Sequence, residues 1–200
     1  MTESKISQPK TPTNINDAFV KKPAMDPKAA GKKRKGKTAS EYKKSLQEKQ
    51  KMKRLYGLSE KQFKKYVKEA LDKMQRVENV SEELVKHLEK RLDNVVLRLG
   101  FAKSQPHARQ LVSHAYFLVN GKSVNIPSFQ VKRGDIIKLK ETKKKKPIFE
   151  DLSARFKKAQ TPYWLNVDKE KFEGEIIGDP SLSEVNLPVE ISLIFEFYSR

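Results

Sequence analysis

Three neighbouring stretches decide the fold: Arg91-Leu-Asp-Asn-Val-Val-Leu-Arg-Leu-Gly-Phe101, Ser104-Gln-Pro-His-Ala-Arg-Gln-Leu-Val-Ser-His114 and Phe117-Leu-Val-Asn-Gly-Lys122. Leu92, Val95, Val96 and Leu99 recur at the spacing of one helix face, and they continue Leu84, Val85 and Leu88 behind the acidic start Ser81-Glu-Glu. One helix is therefore predicted from Ser81 to Leu99, stopped by Gly100 in a left-handed position. Ser104 is the expected N-cap of the next helix, with Pro106 in its first turn and Ala108, Leu111, Val112 and Ala115 as its buried stripe. Asn120-Gly121 between apolar residues predicts a tight hairpin. Short strands are expected at 117–119, 123–126 and 136–139, giving a compact helix-helix-hairpin module over residues 91–140.

Outward from this module the chain changes character. Residues 40–90 read as helical. A first helix over 42–56, with Ser40 as N-cap, is polar nearly all round and has only Leu46, Met52 and Leu55 as apolar anchors, so it needs a partner to pack against. Gly57 ends it, and Ser59 caps a second helix whose Phe63, Tyr66, Val67, Ala70, Leu71 and Met74 share a face. Residues 1–39 read as a basic, disordered and largely extended arm, because Pro9, Pro12, Pro23 and Pro27 interrupt any periodicity and large apolar residues are sparse. After a lysine run at 143–146, a helix is expected over 149–159, then a β-leaning tail with Tyr163-Trp-Leu, Glu175-Ile-Ile and the segment 191–198. The expected class is α+β. Residues 40–90 and 141–200 form one helical domain with a β-leaning tail, into which 91–140 is inserted.

Charge narrows the function. The 200 residues carry 43 Lys and Arg against 25 Asp and Glu, a formal net charge of +18. Solubility needs an excess of only about 2–8 charges. A dense polyanion is the natural partner, either nucleic acid, whose phosphates release counterions on contact with Lys and Arg, or an anionic membrane surface. The absence of Cys excludes disulfides, zinc-thiolate sites and Cys nucleophiles. No stretch has the roughly 18–20 continuous apolar residues of a membrane span, and the start Met1-Thr-Glu-Ser-Lys has no apolar core of a secretory signal. A soluble, cytosolic polycation is expected, with no membrane partner and no cofactor. The balance reverses between 160 and 200, where eight acids outnumber Lys169, Lys171 and Arg200. Phosphate binding therefore belongs to the first three quarters of the chain, and the tail packs on the protein's own helices or meets a basic protein neighbour.

Within the module, Arg91, Asn94 and Arg98 fall at i, i+3 and i+7 and are expected on one solvent-facing side, with Asp93 orienting its neighbours. Lys103 and Ser104 open the second helix, where free backbone N–H groups favour a phosphate. His107, Arg109, Gln110, Ser113 and His114 supply donors along it, and Asn120 and Lys122 close the patch at the hairpin. Lys51, Lys53, Arg54 and Tyr56 at the end of the first helix, and Lys32, Lys33, Arg34, Lys35 and Lys37 in the arm, complete the expected contact set. Donors spread over two helices and a turn suit recognition of folded RNA through its shape and backbone.

These motifs resemble an S-four RNA-binding domain, and the resemblance runs from about residue 40 to the end. Glu48-Lys-Gln-Lys-Met-Lys-Arg-Leu-Tyr-Gly57 and Gln62-Phe-Lys-Lys-Tyr-Val-Lys-Glu-Ala70 are similar to the helical region ahead of that domain in the S-four family of bacterial-type small-subunit ribosomal proteins. Thr161-Pro-Tyr-Trp-Leu-Asn-Val-Asp168, Phe172-Glu-Gly174 and Phe197-Tyr-Ser-Arg200 resemble its C-terminus. The resemblance implies a non-enzymatic constituent of the small subunit. It would bind the 5′ domain of small-subunit rRNA early in assembly and hold a helical junction beside a neighbouring small-subunit protein. It would also lie near the mRNA channel entrance, where residues 32–37 would meet mRNA. Some family members carry a Cys-rich zinc knuckle in the arm; this chain has no Cys to build one. Two alternatives are an RNA-modifying enzyme and a binder of stalled ribosomes, both of which use the same module.

Overall fold

A computed structural model describes residues 41–158, 160–168 and 170–199. The basic arm, including Lys32, Lys33, Arg34, Lys35 and Lys37, and the N-cap expected at Ser40 lie outside the described residues. The architecture is α+β, as expected.

Helix α1 (Glu41–Leu55) leads through Gly57 into α2 (Glu60–Asp72). Gly57 has φ +60°, the left-handed geometry in which the Gly57 and Leu58 N–H groups turn back to the carbonyls of Arg54 and Lys53. Ser59 and Gln62 form a reciprocal capping box at the start of α2. Asn79 caps α3 (Val80–Glu89) by accepting the Ser81 and Glu82 N–H groups. The long helix expected over 81–99 is broken. At Arg91 the backbone becomes extended, pairs with Gln130, and only then enters α4 (Leu92–Arg98). The apolar period runs through the break, so periodicity alone hides it. What enforces it is the Arg91 side chain, which turns inward to a buried partner described below.

Helix α5 (Gln105–Ser113) follows, then β1 (Phe117–Val119) and β2 (Lys122–Val124), joined through Asn120 (φ 49°) and Gly121 (φ +78°) as the paired positive angles of a type I′ turn require. The second strand begins one residue earlier than expected and stops at Val124. Strand β3 (Ile136–Leu139) is followed by α6 (Glu141–Lys144), a 3₁₀ turn (Pro147–Phe149) and α7 (Leu152–Lys158), so the helix expected over 149–159 is two pieces. Strands β4 (Leu165–Asp168) and β5 (Glu173–Ile176) join the first three in one antiparallel sheet of order β2-β1-β3-β5-β4. The chain closes with α8 (Leu182–Val185) and α9 (Ile191–Ser199). The 191–198 segment is thus a helix and not the expected strand. Ile191, Ile194, Phe195 and Tyr198 share one side of it, and packing of that stripe outweighs the β-branched and aromatic composition.

Two apolar cores form. The first gathers Met52, Tyr56, Phe63, Val67, Leu84, Val85 and Leu88, and is completed by Ile191 and Ile194 from the far end of the chain. The second runs from Leu92 to Ile176 and includes Phe149, Leu152, Phe156, Trp164 and Leu165. The division expected at residue 141 therefore falls in the wrong place: residues 149–176 complete the hairpin module, and only α8 and α9 return to the first core. An aromatic knot explains why, since Phe101 stacks edge-on against both Phe117 (5.3 Å) and Phe156 (5.1 Å). Each such pair contributes about 0.5–1.5 kcal/mol beyond its burial. Gly174 lets β5 press on α4, for a Cβ there would sit 2.5 Å from Leu99 Cδ1.

The first helix is anchored differently from its reading. Leu55 is exposed, whereas Ser45, Lys49, Met52 and Tyr56 make the buried stripe. Lys49 reaches across to α9 and α2, lying 4.2 Å from the Phe197 ring centre and donating to Glu60 at 2.7 Å. Glu60 also accepts from Tyr198 at 2.8 Å and from Lys53 at 3.1 Å. Burial alone would raise its carboxyl pKa, but the hydrogen bonds from Lys49, Tyr198 and Lys53 win and hold it at about 2. The tail is therefore fastened to the protein's own helices.

Candidate nucleic-acid interface

The residues expected to line an RNA face divide into two groups once the packing is known. Arg91 is fully buried: its Nε and Nη2 form a fork on Asp93 at 3.0 and 2.6 Å, and Nη1 donates to Tyr66 Oη at 2.7 Å. Asp93 also accepts the Asn94 backbone N–H at 2.9 Å; it orients the Arg91 side chain, whereas the Asn94 side chain is held by Glu89. Asn94 is buried too, and Tyr56, expected to be available for stacking on a base, is only 1% exposed. These three are corrections to the expected contact set, and for Asn94 and Tyr56 the cause is the same.

Glu89 is a fully buried carboxylate between the two cores. Its Oε1 accepts from Tyr56 Oη at 2.7 Å and Arg98 Nη2 at 2.8 Å; its Oε2 accepts from Asn94 Nδ2 at 2.6 Å and Arg98 Nε at 3.1 Å. A charge withdrawn from water needs this degree of pairing. Arg98 keeps a third of its side chain exposed, so its guanidinium has one edge on Glu89 and the other toward solvent. Arg91 precedes the helix and turns to Asp93 and Tyr66, while Asn94 and Arg98 share a helix side that faces Glu89 at the junction of the two cores.

The second group stays open. Along α5 the buried positions are Gln105, Ala108, Leu111 and Val112. Lys103, Ser104, Gln110, Ser113 and His114 are exposed, and His107 and Arg109 are half-buried. Ser104 occupies the N-cap position without a side-chain capping bond. His107 Nδ1 accepts the Lys103 N–H at 3.1 Å, which places the ring proton on Nε2 and makes that atom a donor. Burial, then the nearby charges of Arg155 and Lys103, lower the His107 pKa and favour the neutral ring. Arg155 on α7 is the residue that sequence reading missed here. Its Nη1 and Nη2 donate to the Phe101 and Ile148 carbonyls, and no local motif signals that α7 folds back beside α5.

Arg109 donates to the Gly57 carbonyl at 2.7 Å, and Gln105 Nε2 reaches the Tyr56 carbonyl at 3.5 Å. These bonds bring the end of α1, with the exposed Arg54, alongside α5. Lys51 is exposed next to Glu48, and Lys53 is drawn toward Glu60. At the hairpin Lys122 is exposed. Asn120 works internally, donating to Asp135 at 2.8 Å and accepting the Ile136 N–H at 3.0 Å. What the structure brings together is thus Arg54, Lys103, His107, Gln110, Ser113 and His114 on two helices that are tied to one another, with Lys122 on the hairpin that follows.

Residues 3–89 match the family model described as ribosomal protein S4/S9 N-terminal domain, and residues 90–137 match the S4 domain. The chain is 46% identical over 183 residues to small ribosomal subunit protein uS4 of Caldicellulosiruptor saccharolyticus, covering 92% of this chain and 85% of that protein. The chain belongs to the uS4 family. The uS4 protein of Persephonella marina is 49% identical over 162 residues, covering 80% of this chain and 77% of that one. Protein uS4A of Alkaliphilus metalliredigens is 47% identical over 164 residues, covering 82% and 77%. The boundary between the two family models, at 89 and 90, falls where α3 breaks before Arg91 and where Glu89 joins the cores.

Proposed function

We propose that this protein is a structural constituent of the small ribosomal subunit that binds small-subunit rRNA, and that it contacts the 5′ domain early in assembly and holds a helical junction there. The observation that carries the reading is the exposed donor row of α5, fixed beside Arg54 by the Arg109–Gly57 bond, in a chain of net charge +18. Such a surface grips phosphates at fixed spacing and so restricts the RNA helices that supply them. The charge reversal of the tail supports a neighbouring small-subunit protein as a second partner. A place near the mRNA channel entrance, with residues 32–37 meeting mRNA, belongs to the same reading. Membership of the uS4 family decides against the RNA-modifying enzyme, and the match of residues 3–89 to the ribosomal N-terminal model decides against a stalled-ribosome binder built on the S4 domain alone.

The test is the affinity of the full chain for a transcribed 5′ domain as a function of KCl. Replacing Arg54, Lys103 and Lys122 together by Gln is expected to reduce the slope of log K against log[salt] by about 2–3, at roughly 0.7–0.9 per lost phosphate contact. An unchanged slope in a folded variant refutes the assigned face.

A further inference from the structure

The sheet has an outward face that the interface above does not use, and its register divides that face by charge. One transverse row runs Ser123, Leu118, Lys138, Glu173, Asp168 across the five strands, and the next pairs Ile136 with Glu175 and Asn166. The β4–β5 half is acidic, and Lys138 meets Glu173 at 2.7 Å on the seam. The β1–β3 half is basic. There the Lys140 N–H donates to the Tyr116 carbonyl at 2.9 Å, and Lys140 Nζ reaches Ser123 Oγ at 2.7 Å. Just beyond, Lys143 and Lys146 both turn back to Tyr116: their Nζ atoms lie 5.4 and 5.3 Å from its ring centre, and Lys146 sits at the hydroxyl edge, donating to Oη at 3.1 Å. That ring packs tilted against Phe149, with centroids 5.8 Å apart.

A lysine run is ordinarily a solvated face, with its side chains spread apart. This one converges. Among the described residues no carboxylate pairs with Lys140, Lys143 or Lys146, because Glu141 is taken by Lys144 at 2.8 Å and Lys138 at 3.9 Å. Two ammonium groups on one ring repel each other, while cation–π contacts at exposed sites contribute only about 0.5–1 kcal/mol each. An anion between the lysines would remove the repulsion and use every donor.

We infer that Tyr116, Lys140, Lys143 and Lys146 form a second phosphodiester-binding site, separate from the α5 face, that takes a backbone segment of the same RNA. Ala115 (φ 54°) turns the chain from α5 into β1, so the cluster lies just past His114 and around the corner from the donor row. RNA is favoured over an acidic polypeptide because Tyr116 follows closely on His114, the last donor of the α5 row, so one RNA can reach both sites of a chain with net charge +18. The inference rests on the rRNA-binding reading, and its test separates the two.

Lys140→Gln, Lys143→Gln and Lys146→Gln are combined in the full chain, thermal melting confirms folding, and binding to the transcribed 5′ domain is followed against KCl. The slope is expected to fall by about 2–3, with Arg54, Lys103 and Lys122 intact. In parallel, photoreactive benzoylphenylalanine in place of Tyr116 is expected to crosslink to that RNA. An unchanged slope overturns the second site and leaves the α5 reading standing. A reduced slope without a crosslink, a pure effect of net charge, overturns it as well, as does a crosslink to protein instead of RNA in assembled small subunits. A wild-type chain without salt-dependent binding removes both readings.

Discussion

Glu89 is the position where a single change should matter most to the molecule. Its side chain is fully buried and accepts four hydrogen bonds, from Tyr56 in the first core and from Asn94 and the Nε and Nη2 of Arg98 on α4. Glutamine is nearly the same shape, yet it cannot substitute. Arg98 donates to both carboxylate oxygens, so whichever way the amide is turned its NH₂ faces an Arg98 N–H. Removing one member of a buried ion pair costs about 3–5 kcal/mol. Arg98, a third exposed, can turn part of its charge to water, which places Glu89→Gln near the lower end, about 3 kcal/mol. For a protein of this size that corresponds to a fall in melting temperature of roughly 6–12 °C. Calorimetry on the free protein provides the number, and a double-mutant cycle provides the cause. Glu89→Met combined with Arg98→Met should be more stable than Glu89→Met alone, because the stranded guanidinium is gone. A Glu89→Gln variant melting within about 2 °C of wild type, or a double variant no better than the single, would refute the assignment of the network as the joint between the cores.

Two further outcomes follow from the same packing. Gly174→Ala should destabilise by about 1–3 kcal/mol, as overpacking does, because the new methyl meets Leu99 at 2.5 Å; combined with Leu99→Ala, itself a core truncation, it should cost less than the sum of the two single losses if that contact is the reason, and chemical denaturation measures all three. Glu60 has its carboxyl held at about 2 against an ordinary 4.5, so its contribution is complete above about pH 5 and fades as pH falls toward 2. The melting-temperature gap between wild type and Glu60→Gln should be widest at neutral pH and close in acid. Partial exposure and salt limit the effect to about 1 kcal/mol or less. A gap that is constant with pH would show that the clamp on α9 is not ionic.

Much of this fold was legible in the residues, and the failures have physical causes. The capping box at Ser59, the left-handed Gly57 and the Asn120-Gly121 turn were readable because each is a local device whose geometry the residue types determine. The break at Arg91 was not, because the apolar period is unbroken from Leu84 to Leu99 and the cause is a side chain finding Asp93 and Tyr66 in the interior. The same blindness affected the candidate site. Spacing puts Arg91, Asn94 and Arg98 on one side of a helix, yet Arg91 lies ahead of that helix and turns to Asp93 and Tyr66. The side that carries Asn94 and Arg98 is drawn inward by Glu89, a residue outside the motif. Tyr116 and the lysines after β3 show the complementary case. The lysine run was visible as composition, and only the strand register and the turn after Lys140 bring Lys143 and Lys146 to one tyrosine.

The first core has a peculiarity of chain order. Its earliest members, Met52 to Leu88, are synthesised long before Ile191 and Ile194, which close it, while the intervening residues 92–176 contain a complete core of their own. During translation the middle of the polypeptide can thus reach its final shape while the segment ahead of it stays half-built. Once residue 176 has left the ribosome, and before Ile191 and Ile194 follow, the emerged chain presents a finished hairpin module preceded by helices still lacking their last wall.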